Sequence, residues 1–284
     1  MDNSWIYFSL LTLFFWGVAQ VLLKKGFSNI SSLWSIAISA SINTLIYVPF
    51  ALYTGATFSI SPISFVYILT ITVLNMLFFY AIAKGQLSFT GTILVTYPVT
   101  TILLSYFFLG NSPTRLQYLM IALILFGGGL LGYSSQDNKK KKTLRSSWLI
   151  WAIVGAVGIG IADFMAKITI EEIGVETYNL FFPLAYILGF LGYWFFDRRG
   201  RVLPKKVSLN QFSWTIGGVL LLTVGMLSFN YALDHGNVAL VTTISSGYAA
   251  LTVVLAHFFL REKINMRQLL AVACVLIGII FIGI

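Results

Sequence analysis

The chain has 284 residues, of which 58% are hydrophobic and only 10% charged, with 18 basic and 9 acidic side chains for a net charge of +9. A soluble domain carries about 25% charged residues, so this chain cannot clothe itself in polar surface. Its composition excludes a soluble enzyme, a disordered chain and a coiled coil. Cys274 is the only cysteine, which excludes an intrachain disulfide and a cysteine-based metal cluster.

Ten apolar runs follow in chain order, most of them near the 17–25 residues that cross a hydrocarbon core. They are Trp5–Leu23, Leu33–Tyr53, Ile63–Ala83, Leu87–Leu109, Leu116–Tyr133, Trp148–Ile170, Tyr178–Phe196, Phe212–Leu233, Val238–Leu260 and Leu269–Ile284. The last is short and reads as tilted or peripheral. Of the 27 charges, 25 lie outside these runs, and only Asp163 and Lys167 lie inside. That sorting predicts an all-α integral membrane protein, because lipid cannot satisfy open backbone groups. The alternating ten-residue strands of a membrane barrel are not the pattern seen. The first run lacks a basic lead and a small-residue cleavage site, so it is expected to stay as a membrane helix.

Sixteen of the 18 basic residues fall in the loops after odd-numbered runs, including Lys139, Lys140, Lys141, Lys142 and Arg145 in the longest linker. The positive-inside rule therefore predicts a multi-pass protein of the plasma membrane, with those loops cytoplasmic and both termini outside. A pI of 9.6 raises the question of nucleic acid. Basic residues confined to short loops answer it: the partners expected are the lipid bilayer and a small solute, with no nucleic acid and with a homodimer left open.

The basic linker, 134–146, separates two sets of five runs, 1–133 and 147–284. Tyr80–Gln117 aligned without gaps to Tyr231–Gln268 gives 12 identities in 38 positions, among them Tyr97/Tyr248, Thr101/Thr252 and Phe107-Phe108-Leu109/Phe258-Phe259-Leu260. Gly17-Val18-Ala19-Gln20 likewise matches Gly160-Ile161-Ala162-Asp163, and Lys24 matches Lys167. Five spans per unit is an odd number, so the second copy must enter the membrane from the opposite side. The predicted fold is ten transmembrane helices in two five-helix repeats of inverted topology. Such a pair of repeats can exchange two nearly equivalent shapes around a midplane site, which is the mechanical basis of alternating access.

Several residues carry a resemblance. They are Phe15-Trp16-Gly17 with Lys24, Tyr97-Pro98 running into Phe107-Phe108-Leu109-Gly110, Phe259-Leu260-Arg261-Glu262-Lys263, Gln268, and the final span with Gly278 and Gly283. With these the chain resembles the EamA-like branch of the drug/metabolite transporter superfamily, over nearly its whole length. Two departures stand out: Asn111 replaces the family's acidic residue after the fourth span, and Ala249 stands where the first half has Pro98. The resemblance implies a central cavity lined by spans one to four and six to nine, with spans five and ten peripheral.

Asp163 is the main candidate for binding or coupling, since an intramembrane carboxylate is costly and by default functional. Its repeat partner is the neutral Gln20, expected to face the same space from the other half. Asp163 suits a cationic group or a transported proton. The structural alternative is a local pair with Lys167, one helical turn on. Asn75 and Asn230, followed by the repeat-matched Tyr80 and Tyr231, are further candidates, as are Trp16, Tyr97 and Tyr248. Interhelical hydrogen bonds and interfacial packing explain such residues as readily, and aromatics beside one carboxylate would suit an organic cation. No catalytic set, metal cluster, cofactor motif or nucleotide-binding sequence is present. The expected function is secondary transport of a small organic metabolite, driven by a gradient or exchange. The alternative is a non-transporting membrane partner or lipid-handling protein on the same scaffold.

Overall fold

A computed structural model describes residues 3–26, 32–84, 95–110, 113–134, 147–196, 209–261 and 264–282. These residues form helices α1 (Ser4–Gly26), α2 (Ser32–Tyr53), α3 (Pro62–Lys84), α4 (Pro98–Leu104), α5 (Arg115–Ser134), α6 (Ser147–Ile173), α7 (Val175–Phe196), α8 (Leu209–His235), α9 (Val238–Ser246), α10 (Tyr248–Leu260) and α11 (Met266–Ile282). A single π turn, Ser105–Leu109, extends α4. The beginning of the fourth span, most of the basic linker, and Asn111, Glu262 and Lys263 lie outside the described residues.

Helices of one half pack chiefly on helices of the other: α1 on α8, α3 on α6, α2 on α7, and α5 on α11. With α1 equivalent to α6 and α3 to α8, the first two pairings are the same contact made twice. The α5–α11 pair is reciprocal down to single atoms. A Cβ on Gly127 would meet the Ala271 carbonyl at 2.7 Å, and one on the repeat-equivalent Gly278 would meet the Met120 carbonyl at 3.1 Å. Small residues let the backbones touch where no hydrophobic effect drives helices together.

The halves run in opposite directions. The start of α1 lies against the end of α8, where a Cβ on Gly236 would fall 2.8 Å from Trp5 and the rings of Phe8 and Tyr231 are 5.6 Å apart. The end of α6 lies at that same pole, which is named here after Gly174. This glycine closes α6 in the left-handed conformation (φ 81), its N–H bonded to the Ile170 carbonyl at 2.9 Å, and α7 starts at the next residue. A side chain other than glycine would be strained there. The largest buried apolar cluster gathers near this pole and includes Tyr47, Ile170, Val175, Tyr178, Phe182, Phe229, Leu233 and Val238.

The ninth span differs from its expected form. It is not one helix over Val238–Leu260 but α9 and α10 joined by a turn at Gly247. In the first half a turn over 95–97 precedes α4 at Pro98. In both halves a helix thus begins at or next to the matched tyrosine, Tyr97 or Tyr248. Proline begins the helix in the first half; in the second, where Ala249 stands in place of Pro98, the turn falls at Gly247. Gly247 is also a close approach, since a Cβ there would lie 2.7 Å from Ile279 and 3.0 Å from Leu13. The last span begins earlier than expected, at Met266.

Candidate functional site

Two crossings hold the centre of the molecule. The Thr101 hydroxyl donates to the Gly160 carbonyl at 3.0 Å, and the Thr252 hydroxyl donates to the Gly17 carbonyl at 3.3 Å. Both threonines and both glycines are repeat-equivalent, so each half gives the other the same bond. The glycines are required by space. A Cβ on Gly160 would lie 2.6 Å from the Tyr97 carbonyl, and one on Gly17 would lie 2.7 Å from Leu251.

Asp163 sits one turn beyond Gly160, toward the Gly174 pole, and is 7% exposed. No described residue gives it a hydrogen bond or an ion pair. Tyr97 and Tyr178 lie near it. A charged aspartate at the centre of a membrane helix costs about 2.5–3.5 kcal/mol on insertion scales.

Lys167 does not neutralise it. The ammonium instead donates to the carbonyls of Leu233 at 2.6 Å and Asp234 at 3.4 Å, and pairs with Glu171 at 3.0 Å. These carbonyls belong to the last turn of α8, where a cation is favoured by the helix dipole. The local pair of the sequence reading is therefore Lys167–Glu171 rather than Asp163–Lys167, and the aspartate stays unpaired among the described residues.

Around Asp163 the structure gathers some candidates and separates others. Tyr97 is buried and its hydroxyl donates to the Thr242 carbonyl at 3.3 Å. Tyr248 lies within electrostatic reach of Tyr97 and meets the Trp16 ring edge-on at 5.8 Å. Trp16 also rests on Phe229 at 5.4 Å. Gln20 is half-buried and lies one turn from Gly17 in the direction opposite to Asp163. The two polar groups thus sit on either side of the central crossing, not at one level. Tyr231 is farther out, at the Gly174 pole, between Phe8 and Phe50. The backbones of Asn75 and Tyr80 belong to α3, but their side chains lie outside the described residues.

Asn230 is fully buried and donates its amide to the Asn179 oxygen at 2.7 Å. The other half of each amide, and the hydroxyl of Tyr178, have no hydrogen-bond partner among the described residues. Buried polar atoms are rarely left so, and these three lie on the α7–α8 side of Asp163. Tyr178, Phe182 and Tyr186 were not among the residues the sequence marked. Tyr178, Phe182 and Tyr186 lie at successive turns of α7 and pack on Tyr47 of α2, the Tyr47 and Phe182 rings stacking at 5.3 Å. Beyond them Asn43 accepts from Thr223 at 2.6 Å and bonds Tyr186. The spacing of aromatics every four residues was the available signal.

Together these features define a multi-pass helical membrane protein built from two inverted copies, with an aromatic, hydroxyl-rich seam between them and, in it, an acid that no described residue pairs. Residues 3–133 and 146–284 each match the profile of the EamA-like transporter family, and the chain belongs to that family, which is not an enzyme family. The uncharacterized protein MJ1333.1 of Methanocaldococcus jannaschii is 27% identical over 142 residues, covering 96% of that protein and 48% of this chain. The uncharacterized protein y4nH of Sinorhizobium fredii is 34% identical over 85 residues, 73% of its length and 28% of this one. A solved crystal structure shares the fold at a TM-score of 0.83 and 14% identity, covering 98% of this chain and 96% of its own.

Proposed function

We propose that this chain is a secondary transporter that moves a small organic metabolite across the plasma membrane, without ATP, by exchanging the two arrangements its inverted halves permit. The basic loops face the cytoplasm and the termini face outside. The reading rests above all on Asp163, a carboxylate 7% exposed with no partner among the described residues. A charge kept at that cost, beside hydroxyls, is placed to meet a cationic group of the solute or to carry a coupling proton. Tyr97 is the aromatic beside it, with Trp16 and Tyr248, which contact each other, as further aromatics of the proposed pathway. Gln20 is its uncharged counterpart in the first half. Asn230, held by Asn179, offers further hydrogen bonding, whereas Lys167 and Tyr231 act nearer the Gly174 pole. Asn75 and Tyr80 complete the proposed set from α3.

The test has two stages. A thermal-shift screen of the detergent-purified protein against amines, amino acids, sugars and nucleosides finds a ligand, because binding stabilises the folded state by mass action. Flux of that ligand into vesicles is then compared for the parent and Asp163→Asn. The variant is expected to fold and to lose flux or its pH dependence. Full flux with an unchanged profile between about pH 5.5 and 8, where a coupling group would titrate, would remove Asp163 from the mechanism.

A further inference from the structure

The turn between α6 and α7 is tied to the first half by a set of polar contacts. Ser61 caps α3: its hydroxyl accepts the Ser64 N–H at 3.0 Å, and Pro62 follows as the first helical residue. This is a standard helix start. Glu172, near the end of α6, reaches this cap from the other half. It accepts from the Ser61 hydroxyl at 2.5 Å and from the Ser64 hydroxyl at 2.7 Å. Its charge therefore lies at the N-terminus of α3, where a carboxylate is favoured. Just beyond the turn, the Thr57 N–H donates to the Thr177 hydroxyl at 3.3 Å, and the two hydroxyls are 3.3 Å apart. Thr57 belongs to the first half and Thr177 to the second. On the inner side Lys167, nearly two turns before the end of α6, fixes that helix to the end of α8.

Extending the alignment of the two copies puts Asn29 opposite Glu172, Phe212 opposite Ser61 and Thr215 opposite Ser64. At those three aligned positions the sequence thus has neither the carboxylate nor the two serines. Two arrangements that would be nearly equal in a symmetric molecule are unequal in this one.

We propose that Glu172 is the gate residue of the Gly174 pole: clamped on the cap of α3, it holds that pole shut and sets the balance between the two openings. It touches no solute and acts by positioning α3 against α6. This rests on the alternating reading above. Opening the pole separates Glu172 from Ser61 and Ser64, and the charge must then find water instead. Removing the clamp lowers the cost of opening there and, because the two openings exclude each other, closes the opposite pole in proportion.

The experiment uses the full chain with Cys274→Ala, in lipid nanodiscs, carrying one reporter cysteine at a time. Val238→Cys reports the Gly174 pole and Leu33→Cys the opposite one; these positions are 1% and 0% exposed. The rate of labelling by a water-soluble maleimide is measured in the parent, in Glu172→Ala, in Glu172→Gln, which keeps one acceptor, and in Ser64→Ala, which spares the cap. Glu172→Ala is expected to speed labelling at 238 by roughly threefold to tenfold, the loss of two hydrogen bonds to a charged acceptor in part replaced by water, and to slow it at 33. The glutamine and Ser64→Ala variants are expected to fall between it and the parent. Unchanged rates at 238 would overturn the gate, and so would faster labelling at both positions, which marks a loosened fold. A parent in which neither cysteine reacts before the protein unfolds would instead remove the alternation beneath the proposal. Labelling of both in the parent, with their ratio unmoved by Glu172→Ala, counts against the gate alone.

Discussion

At the central crossings, what one half does to the other is returned: Thr101 bonds the Gly160 carbonyl and Thr252 bonds the Gly17 carbonyl. At the Gly174 pole Glu172 bonds Ser61 and Ser64, whereas the aligned positions of the other copy read Asn29, Phe212 and Thr215. Between them lies Asp163, whose counterpart is Gln20. The duplicated scaffold is thus kept where helices cross and altered where charge and end-capping act. Backbone approach at a crossing tolerates few side chains, whereas a helix end or a polar pocket tolerates many. A molecule of this kind keeps a symmetric pivot and acquires directional chemistry at its poles.

The comparison breaks most readily at the pivot. Gly160→Val would place a branched side chain against the Tyr97 carbonyl, 2.6 Å from a Cβ at 160. It is expected to cost about 2–3 kcal/mol, within the range of overpacked cores, read as early denaturation of the solubilised protein. Lys167→Met should cost less, about 1–2 kcal/mol, because it leaves the Leu233 and Asp234 carbonyls and Glu171 without their cation. Its readout is thermal denaturation together with faster hydrogen exchange in the last turn of α8. The smallest effect sharpens the comparison best. Thr101→Val and Thr252→Val should each cost about 0.5–1 kcal/mol and should match within error, since they remove equivalent bonds. A clear inequality would mean that the pivot is not shared equally.

Much of this was legible in the sequence. Hydropathy and the confinement of charge to loops marked the helices, and the odd number of spans per copy gave the inversion. The break at Gly247 was hidden because the first half starts its helix with Pro98, one residue after the tyrosine, whereas the second half has Ala249 there and turns at Gly247, one residue before. The partner of Lys167 was undecidable from spacing alone: Asp163 and Glu171 both lie one turn away, and the end of α8, distant in sequence, draws the ammonium toward Glu171. The most conspicuous shared run, Phe107-Phe108 and Phe258-Phe259, proved to face outward, these rings being 70–73% exposed. It belongs to the lipid side, while the seam beside Asp163 is built partly from Tyr47, Tyr178 and Tyr186, which no repeat match had marked.

The central claim is that transport requires the Gly174 pole to open. Thr57 and Thr177 offer the most direct test, because their hydroxyls are 3.3 Å apart across the two halves. In a Cys274→Ala background, Thr57→Cys with Thr177→Cys can be joined by a disulfide. Oxidation is predicted to abolish solute flux in vesicles and reduction to restore it, with each single variant unaffected by either treatment. Undiminished flux through the fully cross-linked protein would contradict the account.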